Sequence, residues 1–224
     1  METKSLHKIP RDTLEHLLAG IPFFKTVKQQ DLRQLELLLN ASKIIAYKPD
    51  EVVLQKGDSG NWLFFLLKGR LAVYVDHPSK GDLVNYVTPG EVFGDIAQLV
   101  GQARTATVTA DASARESLVL SLDFTVFGQL NSVSPISLQT KLIYYRNMVH
   151  NLRWKLEVYR SQHLNHELAS KHRQVRLYAG PKDTFGELSS LYEQAQALAL
   201  LLLEWNKEFG VLSTEVAPTG IGSV

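Results

Sequence analysis

The residues whose types and spacing could do chemistry lie together in one stretch, Val92-Phe93-Gly94-Asp95-Ile96-Ala97-Gln98-Leu99-Val100-Gly101-Gln102-Ala103-Arg104-Thr105-Ala106-Thr107-Val108. Gly94 allows an unusual backbone conformation and close approach of a ligand to the chain. Asp95 to Leu99 is long enough for one short helical turn, whose first N–H groups are unpaired and point outward toward an anion. Arg104 adds a planar, permanently charged donor fork suited to a phosphate. Asp95 is an acceptor for hydroxyls such as those of a ribose. Together these residues can hold one sugar phosphate. From residue types alone, an ordinary turn with a surface arginine stays open as the other reading.

The elements around this stretch have to position it. From Ser42 to Leu122, short runs rich in β-branched and aromatic residues are separated by turn residues: Ile44–Tyr47, Val52–Gln55, Trp62–Leu67, Leu71–Val75, Leu83–Val87, Thr105–Thr109 and Ser117–Leu122. Short strands at such spacing predict a β-sandwich or jelly roll. Ahead of them, residues 11–40 read as helical, with Leu14, Leu17 and Leu18 on one face and Leu32, Leu35, Leu38 and Leu39 on another. Gly20, Pro22, Phe23 and Phe24 predict a break between these helices, with the aromatics docking the helical cap on the core. Asp123 is a predicted N-cap for Phe124–Leu130, and Ser134-Pro135 predicts the start of a helix running to Gly180-Pro181. A last helix is expected from Asp183 to Phe209, then a frayed tail over Val211–Val224.

The central stretch resembles the phosphate-binding cassette of the cyclic-nucleotide-binding domain family, whose pattern is Phe-Gly-Glu-x-Ala-Leu, a short gap, then Arg-x-Ala-Thr-Val. Phe93, Gly94, Ala97, Arg104, Ala106, Thr107 and Val108 match in place. Gly57-Asp58, Lys68-Gly69-Arg70, Pro89-Gly90 and Ile21-Pro22-Phe23-Phe24 are similar to the family's flanking positions, so the resemblance covers residues 13–160. It implies an α+β fold: a jelly roll with an N-terminal helical cap, then a long coiled-coil-like helix and a second C-terminal helix. The expected units are a cyclic-nucleotide-binding domain at 1–134, a dimerisation helix at 135–180, an acidic leucine-rich helix at 181–210 and a tail at 211–224. It also implies a ligand site at Phe93, Gly94, Asp95, Ile96, Ala97, Arg104, Thr105 and Ala106. Arg104 would pair with the cyclic phosphate, backbone N–H groups near Ala97 would cradle it, and position 95 would accept the ribose 2′-hydroxyl. The family usually carries Glu where this chain has Asp95, one methylene shorter, so weaker affinity is expected. Thr or Ser at position 105 can contact the purine in the family; Thr there is associated with guanine in eukaryotic cyclic-GMP kinases, while bacterial relatives with either residue also bind cAMP. The resemblance implies cAMP as ligand ahead of cGMP, and no other cofactor.

Charge is uneven along the chain. The net charge of +1 arises from −1 over residues 1–137, +7 over 138–182 and −5 over 183–224. Leu138, Leu142, Tyr145, Val149, Leu152, Leu156 and Tyr159 alternate in spacings of four and three, a left-handed coiled-coil seam. Seam and resemblance together imply a homodimer. Arg146, Arg153, Lys155, Arg160, Lys171, Arg173 and Arg176 could instead attract Asp183, Glu187, Glu193, Glu204 and Glu208, folding the last helix back as an antiparallel hairpin through Leu188, Leu191, Tyr192, Ala195, Leu198 and Leu202. His163 and His166 continue the seam and are read as a polar stretch where the pair loosens; a metal site there is the alternative.

With no cysteine, the chain has no disulfide, thiolate cluster or cysteine nucleophile. His77 is read as a solvated loop histidine rather than a haem ligand. No signal peptide is read at Met1–Pro10, and the longest apolar run, Ala197–Leu203, falls far short of the roughly 20 residues of a spanning helix. No triad, metal cluster or triphosphate loop is found, and residues 160–224 lack a helix-turn-helix pattern with its hairpin. The expectation is a soluble, cytoplasmic, non-enzymatic sensor that reports ligand binding to a protein partner. The alternative is a DNA-binding regulator similar to the catabolite activator protein, using the basic helix.

Overall fold

The computed structural model describes residues 2–4, 10–74 and 83–209, which leaves His77 and the expected tail outside the described residues. The β-rich segment forms two antiparallel sheets. Strand β1 (Glu2–Lys4) pairs with β2 (Ser42–Tyr47), followed across the first sheet by β9 (Ser117–Asp123), β4 (Trp62–Lys68) and β7 (Val92–Phe93). The second sheet runs β3 (Val52–Leu54), β8 (Thr107–Ala110), β5 (Leu71–Tyr74) and β6 (Leu83–Val87). Ile45, Tyr47, Phe64, Leu66, Leu71, Val73, Val87, Phe93, Val108 and Val119 fill the core between the sheets. Their neighbours on the other face of the first sheet, Ile44, Leu63, Phe65, Leu120 and Leu122, pack under the helices. The alternation in β2, β4 and β9 therefore serves two apolar layers, because both faces of this sheet are covered.

The sequence missed β1 and β7, which are too short and too polar, or too close to a turn, to show a period. The expected break between helices does fall, at Gly20 and Ile21, but Pro22, Phe23 and Phe24, read as part of it, open a further helix. After α1 (Arg11–Ala19), α2 spans Pro22–Gln30 and α3 spans Leu32–Asn40. Proline fits the first helical position because its missing N–H would be unpaired there anyway. Asp31 caps α3, its carboxylate accepting from the N–H groups of Arg33 (2.8 Å) and Gln34 (3.3 Å). Phe23 and Phe24 do dock the cap: Phe24 meets Phe65 at 5.0 Å and Phe23 meets Tyr144 at 5.8 Å between ring centroids.

Beyond β9 the chain departs further from expectation. Asp123 caps only a 3-10 turn, Phe124–Phe127, before Gly128. The Ser134–Pro135 peptide is cis, and the helix begins later, at α5 (Leu138–Gln162), capped by Ser137. Two buried polar groups fix that start. The Lys141 ammonium donates to the carbonyls of Gln129 (2.5 Å), Leu130 (3.3 Å) and Ser132 (2.7 Å). Gln34 of α3 accepts from the Ser137 N–H at 2.8 Å and donates to the Pro135 carbonyl at 3.2 Å. The helix then stops at Gln162, not at Gly180. A 3-10 turn (Glu167–Ser170) and α6 (Lys171–Gln174) lead to the last helix, α7 (Phe185–Phe209). The histidines at the end of α5 are turned into a ring cluster, which ends the helix. His163 stacks on Phe209 at 3.9 Å, and His166 lies 5.1 Å from Trp205. Among the described residues no group of His, Cys, Asp or Glu could hold a metal ion.

The coiled-coil seam is used within the chain. Leu142, Tyr145, Val149, Leu152, Leu156 and Tyr159 are buried, as are Leu188, Leu191, Ala195, Leu198, Leu202 and Trp205 of α7. The antiparallel hairpin expected from the sequence does not form: α7 runs parallel to α5, with Arg146 meeting Glu187, Tyr145 meeting Tyr192, Arg153 meeting Gln194 and Tyr159 meeting Asn206, because residues 163–184 carry the chain back to the start of α5 before α7 begins. Of the charges expected to pair, Arg146 grips Glu187 with two bonds of 2.8 Å and reaches Asp183 at 2.9 Å, and Lys171 lies 3.6 Å from Glu204, whereas Arg160 and Arg173 pair with Glu157 of α5 and Arg153 donates to Gln194. Thr184 caps the start of α7, its Oγ1 accepting from the Glu187 N–H at 3.2 Å, while the Glu187 carboxylate accepts from the Asp183 N–H at 2.7 Å.

These ion pairs make the α5–α7 region sensitive to acid. Arg146 holds the carboxyls of Glu187 and Asp183 below their ordinary range. Arg160, then His172 and Arg173, bring Glu157 down to about 2. Depressed carboxylates stabilise the fold fully above their unfolded pKa of about 4.3 and lose that contribution as pH falls. The urea midpoint of α5–α7, followed by circular dichroism, is therefore expected to fall between about pH 5 and pH 2. Glu157→Gln should flatten the lower part of that slope; an unchanged slope would remove Glu157 from the account.

Candidate functional site

Arg104 is held at the mouth of the sandwich by its own backbone and its own fork. Its N–H donates to the Asp58 carbonyl at 2.8 Å, and its carbonyl accepts from the Gly57 N–H at 2.9 Å. This clamp is the structural use of the Gly57-Asp58 turn. The guanidinium donates from Nη2 to the carbonyls of Trp62 (2.7 Å) and Gly60 (3.3 Å), and from Nη1 to the carbonyl of Gly94. Three of its five N–H donors are thereby used. The fork also lies over the Phe64 ring, 5.6 Å from its centroid, and Phe64 stacks on Phe93 at 5.3 Å.

Gly94 opens the short helix α4 (Asp95–Val100) with φ of 78°, a left-handed conformation costly for a residue with a Cβ. A Cβ there would also sit 2.8 Å from Arg104 Nη1 and 3.1 Å from Phe64. Both backbone and space demand glycine. Asp95 and Arg104 are buried, at 5% and 6% exposure, yet among the described residues neither takes part in an ion pair, and Asp95 has no hydrogen-bond partner. Burial pushes the Arg104 pKa down, opposed by the charges of Asp95 and then Asp58. A buried cation with donors to spare and no carboxylate bonded to it can take an anion.

All eight residues expected at the site, Phe93, Gly94, Asp95, Ile96, Ala97, Arg104, Thr105 and Ala106, line one cavity of about 140 Å3. Leu54, Val73, Tyr86, Val87 and Val108 form its apolar wall. Lys155 of α5 and Asn206 of α7 complete the lining, and sequence reasoning missed both. Nothing in a helix pattern says which helix will arch over a cavity. The cassette is also tied to α7 directly, Gln196 donating to the Leu99 carbonyl of α4 at 3.1 Å.

Comparison with known proteins now bears on this geometry. Residues 44–131, which span both sheets, the cassette and Arg104, match the description of the cyclic nucleotide-binding domain. This segment resembles a cyclic nucleotide-binding domain. A cGMP-dependent protein kinase of Eimeria tenella is 33% identical over 75 residues, 34% of this chain and 7% of the kinase. A cyclic nucleotide-gated potassium channel of Rhizobium etli is 32% identical over 120 residues, 53% of this chain and 30% of the channel. The chain thus spans less than a third of the length of these two relatives. A solved structure from Ruegeria pomeroyi, described as a candidate cyclic nucleotide binding protein, shares the fold at a TM-score of 0.50 and 16% identity, over 66% of this chain and 64% of that one. The matched residues 44–131 end before α5, so α5 and α7 lie outside the matched segment.

Proposed function

We infer that this chain is a non-enzymatic sensor of a cyclic mononucleotide, cAMP or cGMP, and that the parallel α5–α7 pair carries ligand binding to a protein partner. The observation that supports it most is the pairing of buried, unbridged Arg104 and Asp95 in one cavity beside the first turn of α4. The cyclic phosphate would take the remaining Arg104 donors and the free N–H groups of that turn. Asp95 would accept the ribose hydroxyl, and the wall of Leu54, Val73 and Val87 would cover the base.

The cavity is smaller than the roughly 300 Å3 from which ligand sites usually start. A nucleotide therefore requires Lys155 and Asn206 to draw back, and so binds best to an arrangement in which the α5–α7 pair has shifted. Differential affinity of that kind is what moves a conformational equilibrium. The bond from Gln196 to Leu99 links the shift to the cassette. A homodimer belongs to the same proposal, through a face other than the filled seam; Trp154 on α5, 48% exposed, offers one. A cytoplasmic setting is also proposed. Among the described residues no helix is long and apolar enough to cross a membrane.

Hydrogen exchange of the 224-residue chain tests binding and relay together. With saturating cAMP or cGMP, amides of residues 93–106 should become protected and those of 185–209 should change their exchange. Unchanged exchange in both segments would refute the proposal; protection of the cassette alone would refute the relay.

A further inference from the structure

A second cavity, of about 180 Å3, shares no lining residue with the one that Arg104 faces. Its walls come from four elements: Leu99 from α4, Phe124 and Phe127 from the 3-10 turn, Tyr144 and Tyr145 from α5, and Tyr192 from α7. The rings form one connected set. Phe124 stacks on Phe127 at 4.6 Å, Tyr144 lies 5.1 Å from Phe127 and 5.0 Å from Tyr145, and Tyr145 stands edge-on to Tyr192 at 5.7 Å.

The polar groups of this cavity are not used up by the fold. Tyr144 and Tyr145 are 4% and 5% exposed, yet neither hydroxyl has a hydrogen-bond partner among the described residues. Both hydroxyls reach open space, and the cavity is the space that the two residues share. Burial, reinforced by Asp95 at Tyr144 and by Tyr192 at Tyr145, raises both phenol pKa values, so both keep their protons at neutral pH and can donate. Tyr192 accepts from Gln196 at 2.9 Å, which leaves its own O–H to donate. Lys141, one turn earlier on the same face of α5, adds a positive charge to the wall. Its N–H groups are spent on the carbonyls of Gln129, Leu130 and Ser132, and among the described residues no carboxylate pairs with it.

We propose that this cavity is a second ligand site, for a one-ring aromatic compound bearing a carboxylate or carboxamide, and that its occupant opposes cyclic nucleotide binding. The volume is that of a single ring, since an apolar cavity of about 150 Å3 holds benzene. The ring meets aromatic walls. The carbonyl oxygen accepts from Tyr144 and Tyr145, and the Lys141 charge disfavours a cation in the same place. An occupant touching Leu99, Tyr145 and Tyr192 together holds α4, α5 and α7 in the arrangement described, in which the nucleotide cavity is only about 140 Å3. Occupant and nucleotide thus favour different arrangements, and each weakens the other by the same factor. The opposition rests on the cyclic nucleotide reading; the site itself does not.

The test titrates benzoate, benzamide and benzylamine into the full chain and follows binding by NMR of the ligands. Benzoate and benzamide are expected to bind saturably at one site. Benzylamine, a cation without an acceptor oxygen, should bind at least about tenfold more weakly. Tyr144→Phe combined with Tyr145→Phe keeps both rings and removes both hydroxyls. It should weaken benzoate about tenfold and lower the benzoate-to-benzylamine preference, which a general loosening of the fold would leave alone. Saturating benzoate should raise the dissociation constants of cAMP and cGMP about fivefold, to a plateau. No saturable binding of benzoate or benzamide overturns the site. So does binding that Arg104→Ala abolishes and the tyrosine variant leaves unchanged, or a nucleotide dissociation constant that rises with benzoate without a plateau, because each places the ring in the nucleotide cavity. A nucleotide affinity that benzoate does not move overturns the opposition and leaves the site. If neither nucleotide binds at all, the opposition and the cyclic nucleotide reading fall together, and the site stands or falls on the first titration.

Discussion

Arg104→Ala is expected to weaken cyclic nucleotide binding by about 2–5 kcal/mol, the cost of leaving a buried charge without its partner. The size follows from where the guanidinium sits. It is 6% exposed, has no carboxylate bonded to it and faces the cavity that also holds Asp95. Its bonds to the carbonyls of Gly60, Trp62 and Gly94 give it a second task, since they tie the Gly57–Gly60 turn to the cassette. Arg104→Lys separates the two. It keeps the positive charge but not the planar fork, so it should recover part of the affinity while leaving the carbonyls poorly matched. Thermal unfolding of both variants reports the structural share. If Arg104→Ala binds as tightly as the wild type, the ligand does not use this cavity.

The second large effect belongs to the α5–α7 pair. Trp205→Ala is expected to cost about 3–5 kcal/mol of stability, the range for removing a large aromatic from a packed core. Trp205 is 1% exposed and lies among Tyr159, His163, His166 and Phe209. No other side chain joins the end of α7 to the end of α5 through as many rings. Its loss should free the last turns of α7 and, with them, Asn206. Urea unfolding followed by circular dichroism measures the cost. A loss below about 1 kcal/mol would mean that the ring cluster is not what closes the α5–α7 pair.

Much of the site could be read from residue order because its parts are local. Gly94, the short helix and Arg104 lie within eleven consecutive residues, and each acts through its own backbone or its own fork. The strands were legible for a related reason: their apolar alternation reflects cores on fixed faces of a sheet. What was not legible depends on partners distant in sequence. Lys155 and Asn206 become cavity residues only because α7 runs alongside α5. A heptad seam records that something apolar will cover Leu142 to Tyr159, but Leu188 to Trp205 of the same chain satisfy it as well as a second copy would. The end of α5 was invisible for the same reason. Helix-compatible residues continue past Gln162, and it is the rings of Trp205 and Phe209, distant in sequence, that draw His163 and His166 out of the helix. The late start of α5 had a local sign, Ser137 ahead of Leu138, overshadowed by the stronger Ser-Pro pattern three residues earlier.

Titration calorimetry of the full 224-residue chain with cAMP, cGMP and 5′-AMP tests the central claim most directly. The account predicts single-site heat with a cyclic nucleotide, little or none with 5′-AMP, and loss of the signal in Arg104→Ala. No heat with either cyclic nucleotide, under conditions in which a known cyclic nucleotide binder responds, would contradict it.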